Sequence, residues 1–291
     1  MEEVKNKKEI KNTIAMLNMK GGVSKTTLAV NVAGALAKLW NYRILLVDLD
    51  PQYNATQYLV NVKEFPEYVN GKEPTILDVM GGAVESRSVI DGRTIGGKRE
   101  PRIDDLARNL YQSKKGEGRL DLIPSTLHLI NVEGQGFGKE HLLQNFINKV
   151  KPKYDLIIID CPPTFSVFLL SGYLASDYYL VPLKPDPLST LGITLLEQVL
   201  DAYAPTYEKS IEPLGVVFTM VRETREMSNV MDTVESTSVG KRYIFRNSLS
   251  FSTYVAEASR KNTFLFEYAK SWKQGEEISQ ITKELIRLLP E

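Results

Sequence analysis

Ten residues near the amino terminus, Asn18 to Thr27, constrain this chain more than any other stretch: Asn-Met-Lys-Gly-Gly-Val-Ser-Lys-Thr-Thr. A short apolar run, Thr13 to Leu17, precedes them and the periodic run Thr27 to Leu39 follows, so the local order reads strand, tight loop, helix. Glycines let a loop backbone come close to an anion, and successive N–H groups at the positive end of a helix attract one. Gly21 and Gly22 supply that freedom. In such a loop Lys25 lies along the β- and γ-phosphates of a nucleotide, and the Thr26 hydroxyl meets Mg²⁺. The common phosphate-loop pattern G-x-x-x-x-G-K-[ST] is nevertheless broken, because Met19 and Ser24 stand at its two glycine positions.

The segment does match K-G-G-V-x-K-T-T from Lys20 to Thr27, and here the chain resembles the deviant Walker A of the ParA/MinD class of ATPases. The resemblance implies ATP and Mg²⁺ held by Lys20, Gly21, Gly22, Val23, Ser24, Lys25, Thr26 and Thr27. In that class the extra lysine, Lys20 here, reaches across a dimer interface to the partner's ATP. The expected assembly is therefore an ATP-sandwich homodimer.

Further along, Arg43-Ile-Leu-Leu-Val-Asp-Leu-Asp-Pro-Gln is the near-continuous apolar run of a parallel strand buried on both faces. It looks like the Walker A′ motif, which implies that Asp50 positions the attacking water and Asp48 supports the Mg²⁺ shell. Next comes Tyr53-Asn-Ala-Thr-Gln, where members of the class commonly carry Gly-Asn-Ala-Thr, so Tyr53 departs from the pattern in the expected first switch. Lys153-Tyr-Asp-Leu-Ile-Ile-Ile-Asp-Cys-Pro-Pro delivers a carboxylate at a buried strand's end, the Walker B arrangement, and places Asp160 toward the Mg²⁺ shell. Cys161 reads as a packed neighbour rather than a nucleophile, with His128 and His141 both upstream. Thr219-Met220-Val221 ends another strand and resembles the segment beside the adenine base, which adds Met220 to the nucleotide contacts. The expected catalytic set is Lys20, Lys25 and Asp50; the expected metal set is Thr26, Asp48 and Asp160.

Strands alternate with helices, and each phosphate or acid motif sits at a strand's carboxyl end. This predicts an α/β fold, a doubly wound, mostly parallel sheet with helices on both faces, of the deviant Walker A type of P-loop NTPase. With 43% apolar residues the chain can bury a core. No repeat or linker divides it, so a single domain is expected over residues 13–291 behind a short solvated arm, 1–12. From about 91 to 118 lies a polar insertion with Gly96-Gly97 and Lys114-Lys115, readable as a solvated loop or as one that touches DNA or a partner. One cysteine excludes a disulfide framework and a four-cysteine metal site and suits a reducing cytoplasm. A nitrogenase-type iron protein, which needs a cysteine pair, is excluded with it. No apolar run reaches the ~20 residues of a membrane span.

Lys plus Arg and Asp plus Glu both number 36, so overall charge says nothing of partners. Between Lys241 and Lys273, however, seven basic residues face two acidic ones, with eight aromatics interleaved. The stretch reads either as snorkelling lysines over an aromatic layer or as a face that neutralises DNA phosphates. Candidates are Arg222, Arg225, Lys241, Arg242, Arg246, Arg260 and Lys261. Resemblance to plasmid and chromosome partition ATPases implies nonspecific DNA binding by the ATP dimer and release after hydrolysis. It also implies slow intrinsic turnover, a ParB-type centromere-binding protein that stimulates it, and a cytoplasmic, nucleoid-associated life. The rival is a MinD-like membrane-cycling ATPase, which uses a basic amphipathic terminal helix. Ile278, Ile281, Leu285, Leu288 and Leu289 make such a stripe, but Glu284 interrupts the polar face, so the helix reads as core-docking and no membrane partner is expected. A noncatalytic scaffold is the third reading, and Lys25, Thr26, Asp50 and Asp160 argue against it.

Overall fold

The computed structural model describes residues 7–61, 63–69, 73–81, 89–90, 93–94, 101–133 and 138–290. Eight strands form one sheet in the order β10-β9-β8-β1-β7-β2-β6-β5. In chain order these are β1 (Asn12–Met16), β2 (Arg43–Asp48), β5 (Arg108–Gln112), β6 (Arg119–Ile123), β7 (Leu156–Asp160), β8 (Tyr178–Leu183), β9 (Glu212–Val221) and β10 (Leu249–Ser250). Two-residue strands β3 (Val89–Ile90) and β4 (Arg93–Thr94) pair separately. All neighbours in the main sheet are parallel except β5, which runs antiparallel to β6.

Parallel strands need covering on both faces, and alternation along each strand supplies two cores. Ala15, Leu45, Val47, Ile157 and Ile159 face one apolar cluster; Ile14, Met16, Ile44, Leu46, Leu156 and Ile158 face the other. The first cluster is closed by α7 (Leu142–Val150), α8 (Val167–Ala175) and α9 (Ser189–Tyr207); the second by α1 (Lys25–Lys38) and α13 (Trp272–Leu288). Helix α1 crosses so near the carboxyl-terminal segment that a Cβ on Gly34 would come within 2.4 Å of the Phe264 ring. Shorter α-helices are α2 (Asn54–Leu59), α3 (Phe65–Val69), α4 (Ile76–Met80), α5 (Ile103–Leu106), α6 (Ile130–Glu133), α10 (Arg225–Val234), α11 (Ser238–Arg242) and α12 (Thr253–Arg260).

Two expectations change. The arm is docked from residue 7 onward: Ile10 is buried, and the Lys7 ammonium lies 2.7 Å from Asp155. Its first six residues lie outside the described ones. Of the polar insertion, residues 91–92 and 95–100 also lie outside, but 101–118 is no loose loop. It supplies α5 and edge strand β5, which extends the sheet because Asn109 and Tyr111 find ladder partners on β6. The Lys114-Lys115 turn closes beside Asn41, whose Oδ1 accepts the Gly118 N–H at 2.6 Å. That is the amino end of the sheet, remote from the phosphate loop.

Candidate active site

Strand order explains the site. β1, β7 and β2 are neighbours, and their register places Met16, Asp160 and Asp48 side by side at the carboxyl edge. The loop after β1 is pinned from both sides. Asn18 donates to the Pro182 carbonyl at 2.7 Å and accepts the Lys20 N–H, while Thr219 of β9 donates to the Val23 carbonyl at 2.7 Å. Gly22 (φ 74°) and Ser24 (φ 56°) take left-handed conformations, the alternation that turns successive N–H groups inward. Among the described residues the N–H groups of Gly21, Gly22 and Ser24 find no acceptor, and α1 begins without a side-chain cap. These open donors border a pocket of about 300 Å³, also lined by Asp50, Asn54, Gln57 and Ser259. Orphan donors at a helix N-terminus suit a polyphosphate, so the residues present fit ATP.

Beneath the loop Lys25 is buried, with Nζ 2.8 Å from Asp160 and also donating to the Cys161 carbonyl. Burial alone would depress its pKa, but Asp160 outweighs that and the ammonium is held charged. Thr26 donates to the other Asp160 oxygen at 2.6 Å. A cation bound chiefly through phosphate oxygens needs only one or two protein ligands. Thr26 and Asp160 fit that role for Mg²⁺; among the described residues no three acidic, histidine or cysteine groups converge to form a complete metal cage.

The paired aspartates divide their work. Asp50 lines the pocket, fixed by the Gln52 N–H at 2.9 Å, and burial raises its pKa against the opposing pull of that bond and of Lys25. Asp48 is fully buried and does not line it. Its Oδ2 accepts both the N–H (2.8 Å) and hydroxyl (2.7 Å) of Thr56, tying β2 to α2. Burial, then the charge of Asp160, push the Asp48 carboxyl up to about 7. Tyr53, ahead of α2, adopts φ 45°, the left-handed conformation that explains why glycine is common there.

Lys20 has a partner in its own chain: its Nζ lies 2.5 and 2.6 Å from the two oxygens of Asp186, in the loop after β8. Burial works against the Asp186 charge, but Lys20 and Ser189 prevail and its pKa falls. Asp186, Thr56 and Ser259 were not among the sequence candidates. Thr56 lay within a recognised motif, whereas Asp186 and Ser259 carry no local signal because only the tertiary fold brings them here. Met220 (φ 54°) ends beside the loop but does not line the pocket.

The basic candidates are brought to four separate places. Arg222 and Arg225 follow the carboxyl end of β9, where the Arg222 guanidinium stacks 3.9 Å from the Phe251 ring centroid. Lys241 and Arg242 lie on α11, with Arg242 3.9 Å from Glu212 at the strand's other end, roughly 30 Å away at ~3.3 Å per residue. Arg260 and Lys261 end α12 beside α2, to which Asn262 is bonded. Arg246 is exposed between the two ends of β9. The interleaved aromatics also divide: Phe245 and Phe264 are core, whereas Phe251, Tyr254 and Trp272 are exposed.

Comparison with known proteins agrees with this geometry. The AAA domain family AAA_31 matches residues 11–212. An uncharacterized protein of Methanocaldococcus jannaschii is 32% identical over 212 residues, 70% of this chain and 71% of that one. The virulence plasmid ParA family protein of Chlamydia psittaci is 27% identical over 279 residues, 94% and 93% of the two chains. A putative plasmid partition protein of Borrelia burgdorferi, solved with AMPPNP, superposes with a TM-score of 0.71 at 22% identity over 95% of this chain and 98% of that one. The chain belongs to the AAA_31 family, and a ParA family protein is among the relatives it resembles along nearly its whole length.

Proposed function

We propose that this protein is an ATP-driven partition switch. Two copies clasp two ATP·Mg²⁺, the pair binds DNA without regard to sequence, and hydrolysis, stimulated by a ParB-type centromere-binding partner, releases it. Bound ATP and Mg²⁺ supply the anhydride to be cleaved and the charge that steadies the transferring phosphoryl group. Of the chain's own groups, Lys25 and the open N–H donors hold the phosphates, Thr26 and Asp160 face the cation, and Asp50 orients water. Asp48 serves by holding Thr56, and so the first switch, against β2.

One observation carries the reading. Beside Lys20, α9 presents an apolar face to solvent: Leu188, Leu191 and Leu195 are 65%, 55% and 43% exposed, with Phe165 at 61%. A Cβ on Gly192, within that stripe, would lie 4.0 Å from the Lys20 Cβ. An exposed apolar face next to the lysine that must cross an interface is what a second copy would cover. What weighs against the membrane-cycling rival is that Ile278, Ile281, Leu285 and Leu289 of the terminal segment are at most 1% exposed and pack in the α1 core.

Side-by-side binding to random-sequence DNA and to anionic vesicles, with ATP, ADP or no nucleotide, tests the proposal. Retention on DNA with ATP alone is expected, together with a dimer in light scattering that Lys20→Ala abolishes while nucleotide still binds. A chain that remains single at saturating ATP overturns the reading, and retention on vesicles transfers it to the rival.

A further inference from the structure

A second pocket, of about 250 Å³, opens between α8, the first residues of β8, α9 and the segment entering β9. It lies toward the amino end of the sheet, away from the phosphate loop. Tyr179, the second residue of β8, lines it. The residue is 5% exposed, and among the described residues its hydroxyl takes no hydrogen bond. The hydroxyl is open to the pocket rather than sealed in the core, and so is placed to meet a polar guest there. The neighbouring Tyr173 hydroxyl is already spent on the Lys209 carbonyl.

Three carboxylates surround this hydroxyl. Glu197 and Asp201 are one turn apart on α9, and Glu212 opens β9. Glu197 gives one oxygen to the Val239 N–H at 2.9 Å, Arg242 approaches Glu212 to 3.9 Å, and no lysine or arginine lines the pocket itself. Burial first, and then these three negative charges, push the Tyr179 hydroxyl pKa upward, so it stays protonated.

The guest can be narrowed by chemistry. A metal ion is disfavoured, since among the described residues no three such groups converge closely enough to ligate one. A nucleotide or other anion is disfavoured as well, because Glu197, Asp201 and Glu212 line the pocket with no lysine or arginine among them and would repel a phosphate. Aromatic faces from Tyr173 and Tyr179 attract a cation, and Leu200, Pro213 and Val239 offer a slot for an aliphatic stem. We propose that this pocket binds an alkyl cation, an ammonium or guanidinium on a short aliphatic stem, with Glu197, Asp201 and Glu212 facing the charge and the Tyr179 hydroxyl accepting one of its N–H bonds. The cation belongs either to a free amine or to a lysine or arginine side chain of another protein.

Calorimetric titration of the full chain with agmatine, with acetyl-Gly-Arg-Gly-amide and with uncharged 1-pentanol tests this. Both cations should saturate below about 10 mM, and the exposed double variant Asp201→Asn/Glu212→Gln should weaken them about ten-fold. Tyr179→Phe, checked for native circular dichroism, should weaken them a few-fold. Tighter binding of the peptide assigns the pocket to a protein side chain; tighter binding of agmatine assigns it to a free amine. Saturation by neither cation, equal binding of 1-pentanol, or a double variant that binds like wild type overturns the proposal.

Discussion

Strand β7 has an aspartate at each end, and the two are treated in opposite ways. Asp155, just before the strand, is met by the Arg43 guanidinium at 2.6 Å, the Arg43 N–H at 2.9 Å and the Lys7 ammonium at 2.7 Å. Burial would raise its pKa, yet these partners hold it at about 2. Asp160, closing the strand, shares one buried lysine with its surroundings and stands in register with Asp48, whose carboxyl is driven up to about 7. The amino end of the sheet is charge-matched and contributes stability. The carboxyl end concentrates acids beyond its cations, an arrangement that costs stability in the free chain and suits one that receives Mg²⁺.

Substitutions at the two ends should therefore separate activity from stability. The largest effect is expected at Asp50. Asp50→Ala should lower ATP turnover by about 10²–10⁴-fold, the usual worth of a positioned proton acceptor, and leave the ATP dimer trapped. Turnover at the wild-type rate would show that another group orients the water. At the other end, Asp155→Ala should cost about 2 kcal/mol in urea unfolding at pH 7. The figure is below that of a fully buried pair because Arg43, Lys7 and Lys11 are 37%, 23% and 42% exposed and can rehydrate. ATP turnover should stay within about two-fold of wild type, and a larger loss would mean that the ends are coupled through β7.

Titration sharpens the same contrast. The folded pKa of Asp48 lies above its ordinary 3.8, so its contribution is complete below about pH 4 and lost as pH rises toward 7. Asp155 behaves inversely: its contribution is present above about pH 4 and lost as pH falls toward 2. The ligand-free chain should then be most stable between these windows. Asp48→Asn keeps an acceptor for the Thr56 N–H and removes the repulsion with Asp160. It should stabilise the ligand-free protein at pH 8 by about 1–2 kcal/mol and flatten the loss of stability between pH 4 and 7. Unchanged slopes in urea unfolding across that range would show that Asp48 is not the group responsible.

What could be read in advance follows from how local each signal is. The phosphate loop, Asp50 and Asp160 stand in contiguous motifs, and buried parallel strands announce themselves as apolar runs, so the fold and most of the pocket were legible. The pairing of Lys20 with Asp186 was not, because the two are 166 positions apart and meet only when β8 is laid beside β1. Edge strand β5 was hidden for another reason: Arg-Asn-Leu-Tyr-Gln has exposed or half-buried side chains throughout and carries no apolar run. The basic residues of the carboxyl third were close in sequence yet dispersed in space, since β9 and the segment returning beside it carry them to different ends of the sheet.

The smallest effect concerns backbone strain, which also gathers near the carboxyl end. Ser24, Tyr53 and Met220 all hold positive φ there; at the amino end Glu208, which closes α9, does so too, while Asn41 is a residue type that accepts it readily. Tyr53 departs from the glycine common at this point in the class, so its ring is carried on a left-handed backbone at the start of α2. Relief of that strain by Tyr53→Gly is worth about 1 kcal/mol, and glycine's extra freedom in the unfolded chain removes about half of it, leaving about 0.5 kcal/mol of net stabilisation. Because Asn54 and Gln57 of the same helix line the pocket, the substitution should alter ATP affinity more visibly than stability. A Tyr53→Gly variant less stable than wild type by more than about 1 kcal/mol would mean that contacts of the ring outweigh the strain, and that the first switch here is fastened by its side chain rather than by its backbone.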